Sequence, residues 1–132
     1  MPTKFTCDGN DINPSLLISG VPEQAKSLVL IMDDPDAPVG IWDHWIVFNI
    51  QPDIEQIEEG TEPSGIHGLG TSGNLKYNGP CPASGEHRYF FKLYALDTML
   101  ALGEGASKQE VERAMERHVI EQTELVGKYR RG

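Results

Sequence analysis

Lysine and arginine are scarce in this sequence: 11 of them stand against 20 aspartates and glutamates, for a net charge of −9 over 132 residues. Such a chain repels phosphate backbones at long range, so nucleic acid and anionic membrane are excluded as main partners. Long apolar runs are missing too. None approaches the length of a membrane span, and no basic start leads into an apolar stretch, so neither stable membrane insertion nor a signal peptide is expected and the expected location is cytoplasmic. Cysteine is nearly absent, with only Cys7 and Cys81 and no CxxC spacing. That excludes a zinc knuckle or a thioredoxin-type motif and favours two reduced, half-buried thiols. Helix signals are also few. What remains is a chain of single-domain size, 39% hydrophobic, with Gly and Pro punctuating short strand-like runs.

Leu28–Met32 reads as a strand buried on both faces. His44–Ile50 reads as a second, with His44, Ile46 and Phe48 on one side and Trp45, Val47 and Asn49 on the other. The turn that separates them carries Asp33, Asp34, Pro35, Asp36, Pro38, Trp42 and His44, a set too expensive to place between buried strands unless it serves a function. Arg88–Asp97 is the strongest strand, and His87, Tyr89, Phe91 and Leu93 share one of its faces. Near the N-terminus, Lys4–Cys7 and Leu16–Ser19 read as short extended pieces with nothing helical. The Gly/Ser/Pro-rich stretch from Gly60 to Gly85 reads as a loop wrapping over the core and framing a site. Lys108 to about His118 is the one convincing helix, capped by Ser107 and Glu110 and striped by Val111, Ala114, Met115 and His118. The segment from Ile120 to Tyr129 is expected to be a last strand. The expected fold is therefore mainly β, an antiparallel β-sandwich with one peripheral helix near the C-terminus.

Several motifs fail on context. Gly68-Leu69-Gly70-Thr71-Ser72-Gly73 matches GxGxxG as a string, but no strand enters it and no helix leaves it, so it reads as a flexible loop and not a dinucleotide site. Asp34-Pro35-Asp36 is an aspartyl phosphotransferase string without the fold or the later acidic pair. Ser84 near His87 lacks a nucleophile elbow. His44, His67 and His87 lack metal-ligand spacing, so neither metal nor cofactor is expected. A better constellation is His44 beside Trp42 and His87 beside Tyr89, each at the mouth of a buried strand. Aspartates orient imidazoles and raise their pKa, so a protonated histidine could meet an anion while backbone N–H groups of the Gly79–Gly85 loop donate to it.

The strings DPDAP with WDHW, and GPCPASGEHRYFFKLYALD, resemble the two signature blocks of the phosphatidylethanolamine-binding proteins, also called the Raf kinase inhibitor protein family. FTCDGNDINPSL and HVIEQTELVGKYRR are similar to its compact bacterial and archaeal branch. The resemblance implies a β-sandwich whose surface cavity binds phosphate-type anions, including phosphoethanolamine head groups. Carried over by position, the ligand-binding residues are Asp34, Asp36, Trp42, His44, Gly79, Pro80, His87 and Tyr89. It also implies a cis bond at Ala37-Pro38 and brings Cys7 towards Cys81, so that a disulfide joins the expectations. A homodimer is implied as well. The C-terminal helix of eukaryotic members has no counterpart after Tyr129, and bacterial relatives usually carry a further N-terminal segment, so the chain is expected to be a minimal or trimmed member. Regulation of a Raf-like kinase is not carried over.

The expected function is a non-enzymatic binding module for a small phosphorylated or carboxylated ligand. One alternative is a phosphate- or acyl-ester hydrolase using Asp34 or Ser84. Another is an inhibitor of a kinase or hydrolase acting through protein contact.

Overall fold

A computed structural model describes residues 1–131. Its elements in chain order are β1 (Leu16–Leu17), β2 (Ser27–Asp34), β3 (Trp42–Ile50), β4 (Gln56–Ile57), β5 (Ile66–His67), β6 (Glu86–Leu96), α1 (Lys108–Met115) and β7 (Val119–Arg130). All the pairings are antiparallel: a five-stranded sheet in the order β5-β3-β2-β6-β7 and a two-stranded sheet of β1 and β4. The described residues are thus mainly β with one α-helix, as the strand patterns and single capping box predict.

β2 is buried along its whole length because both faces of the large sheet are covered. On one face Leu28, Leu30, Met32, Trp45, Val47, Tyr89 and Phe91 pack with Ile57 of β4 and with Tyr77. On the other, Val29, Ile31, Ile46, Phe48 and Leu96 pack with Val111 and Met115 of α1. Each such side chain contributes about 1.5–3 kcal/mol by leaving water, so the two-sided burial of β2 fixes the centre of the molecule. The helix forms where expected: the Ser107 hydroxyl accepts from the Glu110 N–H at 3.1 Å, and the Glu110 carboxylate accepts from the Ser107 N–H at 3.0 Å. It stops at Met115, short of His118, which instead returns the chain to the sheet through the His118 carbonyl, an acceptor for the Asp97 N–H at 3.0 Å. Among the described residues no helix is long and apolar enough to cross a membrane.

Some local expectations are corrected. Thr3–Phe5 is a 3₁₀ turn, not a strand, and the Tyr77 hydroxyl pins it by donating to the Phe5 carbonyl at 2.7 Å. The Gly60–Gly85 stretch contains β5, which pairs with Val47 and Phe48. It is anchored by Glu62, whose carboxylate accepts from Trp45 Nε1 at 2.8 Å and from the Tyr77 N–H at 3.0 Å. Gly68 and Gly70 are closely packed by neighbouring backbone and side chains. A Cβ on Gly68 would stand 2.6 Å from Ile46 Cγ2 and 2.7 Å from the Ala106 carbonyl oxygen, and one on Gly70 would stand 2.9 Å from the Asp43 carbonyl oxygen. These glycines are there for close backbone approach. No peptide bond among the described residues is cis. The Ala37-Pro38 turn is closed instead by the Gly40 N–H, which donates to the Ala37 carbonyl at 3.1 Å, with Pro38 in the position where a trans proline suits a β-turn.

Candidate functional site

The two aspartates that end β2 point to opposite faces of the sheet. Asp33 turns to the helix side, where Lys108 and Lys92 meet its carboxylate at 3.0 and 3.1 Å. Asp34 turns to the other side and accepts a hydrogen bond from His87 Nδ1 at 2.7 Å. Its second oxygen accepts from the Asp36 N–H at 2.7 Å, an Asx turn that shapes the chain leaving β2. Asp36 in turn grips Arg88, accepting from its Nε at 2.9 Å, its Nη2 at 2.8 Å and its backbone N–H at 2.9 Å. Those bonds to Arg88 hold the Asp36 carboxyl well below the usual carboxylate range. Asp34 and Asp36 together lash the β2–β3 turn to the first residues of β6.

His44 reaches the same place by a β-bulge. The register passes from Met32 opposite Trp45 to Asp33 opposite Asp43, leaving His44 as the extra residue. A bulge re-aims a side chain. Strict alternation places His44 with Ile46 and Phe48, but the bulge turns it to the face of Trp45 and Tyr89. There its ring stands edge-on to Tyr89, centroids 5.3 Å apart, and Nδ1 lies 2.6 Å from the Asn78 carbonyl oxygen. Burial is the main influence on His44 and lowers its pKa, so the expected raised, charged imidazole is corrected at this position. Tyr89 is 1% exposed, its hydroxyl has no hydrogen-bond partner, and burial pushes its pKa up, which keeps it protonated.

These groups line a cavity of about 480 Å³ together with Trp42, Gly79, Cys7, Cys81 and the apolar Pro38, Val39 and Pro82. Of the eight residues carried over by resemblance, Asp34, Trp42, His44, Gly79, His87 and Tyr89 meet here. Asp36 stands behind the wall on Arg88. Pro80 is buried outside the lining, its carbonyl accepting from the Cys7 N–H at 3.1 Å. The Gly79 N–H, expected to face a ligand, is donated to Asp11 Oδ1 at 2.8 Å. Ser84 is exposed and also outside the lining. Cys7 and Cys81 are not reduced, half-buried thiols but a disulfide (2.04 Å) exposed at the cavity edge. It ties the N-terminal turn to the Asn78–Ala83 wall. Asn78 was missed because it acts through its carbonyl, which no side-chain pattern reports. No cluster of three or more metal-ligating side chains occurs among the described residues.

Comparison with known proteins gives the relatives of this arrangement. The family model described as phosphatidylethanolamine-binding protein matches residues 1–130. The UPF0098 protein of Methanothermobacter thermautotrophicus is 54% identical, covering 100% of this chain and 91% of its own. That of Chlamydia trachomatis is 44% identical over 98% of this chain and 89% of its own. Among solved structures, a putative phosphatidylethanolamine-binding protein homologue from Chlamydia trachomatis superposes with a TM-score of 0.96 at 43% identity, covering 99% of this chain and 89% of its own. E. coli YbcL, described as a new member of the mammalian PEBP family, gives 0.87 at 31%, covering 97% and 85%. Matched along almost its whole length by sequence and by fold, the chain belongs to the phosphatidylethanolamine-binding protein family.

Proposed function

We propose that the protein is a binding module that captures a small phosphate-type or carboxylate head group in the cavity between the β2–β3 turn and the start of β6. The observation that carries this reading is the Asp34–His87 pair beside the buried, unpartnered hydroxyl of Tyr89. A buried hydroxyl without a partner loses free energy, and a ligand oxygen is the kind of partner that recovers it. The cavity volume also falls in the range that holds small molecules.

Binding is favoured over ester hydrolysis by Asp34 because both of its oxygens already accept a hydrogen bond, one from His87 and one from the Asp36 N–H, which lowers their nucleophilicity. Titration of the labelled protein with phosphoethanolamine, and separately with acetate, tests the proposal by NMR. Shifts centred on Trp42, His44 and Tyr89 that disappear in His87→Ala support it. Binding unchanged in both His87→Ala and His44→Ala overturns it, as does ester turnover that is lost in Asp34→Ala.

A further inference from the structure

Cys7 and Cys81 are the only cysteines in the chain, and both residues of their disulfide are exposed at the rim of the cavity. The two segments they join are also held together by other contacts. The Cys7 N–H donates to the Pro80 carbonyl at 3.1 Å, the Tyr77 hydroxyl to the Phe5 carbonyl at 2.7 Å, and the Gly79 N–H to Asp11 Oδ1 at 2.8 Å. Gly79 lies so close to the N-terminal turn that a Cβ on it would overlap the Phe5 carbonyl oxygen. Opening the disulfide frees the unfolded chain from a restraint but removes none of these native contacts. The two sulfurs then stay near each other, able to close again, and solvent reaches the residues that carry them. Such a setting suits reversible thiol chemistry.

The two sulfurs are not equivalent. Arg131 Nη1 donates to Cys81 Sγ at 3.6 Å, and among the described residues no other side chain makes a hydrogen bond to either sulfur. The guanidinium is held there by its Nε on Asp8 Oδ1 at 3.1 Å, and Asp8 in turn accepts from the Tyr129 hydroxyl at 2.6 Å. In thiol–disulfide exchange a thiolate attacks one sulfur and the other departs with the bonding electron pair. A guanidinium beside Cys81 stabilises negative charge arriving on that sulfur. On Cys7 the same charge would develop one residue from the Asp8 carboxylate.

We infer that the Cys7–Cys81 pair is a modification site for small thiols, with Cys7 as the sulfur that takes the thiol and Cys81 as the leaving group. The incoming thiolate forms an S–S bond to Cys7 Sγ as the Cys7–Cys81 bond breaks, and the electron pair departs on Cys81 Sγ beside Arg131. One disulfide replaces another, so no oxidant or reductant is consumed; the proton shed by the incoming thiol goes to Cys81 or to solvent. Cys81, kept near Cys7 by the Pro80 hydrogen bond, attacks the adduct in the reverse step and expels the small thiol. With a net charge of −9, the chain favours an uncharged or cationic thiol over an anionic one.

The test uses the full, disulfide-intact chain and 2-mercaptoethanol, an uncharged probe that leaves the choice of sulfur to the protein. After acid quenching and maleimide capping of the freed thiol, trypsin separates Cys7, between Lys4 and Lys26, from Cys81, between Lys76 and Arg88, and mass spectrometry reads each peptide. The adduct should lie on Cys7 and the maleimide on Cys81, in at least about threefold excess over the reverse. Exchange should be first order in thiol and unchanged by urea below the unfolding transition, as native-state exchange requires. Arg131→Gln should slow it by about threefold or more and even out the two adducts, with the indole signals of Trp42 and Trp45 reporting an intact fold. Arg131→Lys should keep the bias. An adduct mainly on Cys81, equal adducts in the unmodified chain, a rate that saturates in thiol and rises with urea, or an Arg131→Gln chain that behaves as the unmodified one overturns the inference. No head-group ligand enters this readout, so its outcome is separate from that of the proposed binding function.

Discussion

In Tyr89 the ring and the hydroxyl have opposite effects on stability. Its ring is core, packed between the two histidines, while its hydroxyl is buried without a partner. Leaving a hydroxyl in that state costs about 1–3 kcal/mol. Tyr89→Phe should therefore leave the ligand-free protein as stable as before, or more stable by roughly 1–2 kcal/mol, in urea unfolding, while weakening phosphoethanolamine binding. A merely structural tyrosine would change neither in that combination. At this scale the sequence was informative about residue types and poor about directions. Asp34, in a turn too costly to be idle, and His87, at the mouth of a buried strand, are both legible as site candidates, and they do meet. Strict alternation puts His44 on the wrong face because one extra residue in β3 breaks the period of two, and a bulge leaves no signature in side-chain pattern. Asp36 looked like a second pocket carboxylate but serves the adjacent Arg88, which a chain of single letters does not distinguish.

Among the elements, those legible in advance carry local signals: the capping box of α1, the unbroken apolar run of β2, the aromatic alternation of β6. β1, β4 and β5 have two residues each, too few for any period to appear. They exist because neighbours distant in sequence pin them, and the glycine-rich stretch after β5 is held in the same way. Gly68 is the clearest case, with its N–H donated to the Ile46 carbonyl at 2.8 Å and no room for a side chain. Its φ lies outside the left-handed region, so any penalty from a methyl group is crowding alone. Gly68→Ala should destabilise the fold by about 1–3 kcal/mol, read as a lower urea midpoint at unchanged slope. Gly73→Ala is the comparison, since its Cβ would meet nothing and only its positive φ resists substitution. If Gly68→Ala proves no worse than Gly73→Ala, the loop is as yielding as its composition suggests.

Across the whole molecule, strand order was beyond the sequence, because pairing β6 with β2 on one edge and β7 on the other is decided by which apolar faces close together. Net charge was plain from the start, and its consequence survives the structure. A chain of charge −9 sets up a repulsive field for any anionic ligand. A lysine or arginine at the cavity wall would reverse that field locally, but none lines it. On the proposed head-group reading, the cavity would work by short-range hydrogen bonds inside a long-range barrier, and the two respond differently to salt. With a screening length of about 30 Å at 0.01 M, falling to about 10 Å at 0.1 M, added sodium chloride should raise the association rate of phosphoethanolamine and leave its dissociation rate nearly constant. Line-shape analysis of the NMR titration at the two ionic strengths measures both rates. Slower association at higher salt would require an attractive local field that the lining residues do not supply.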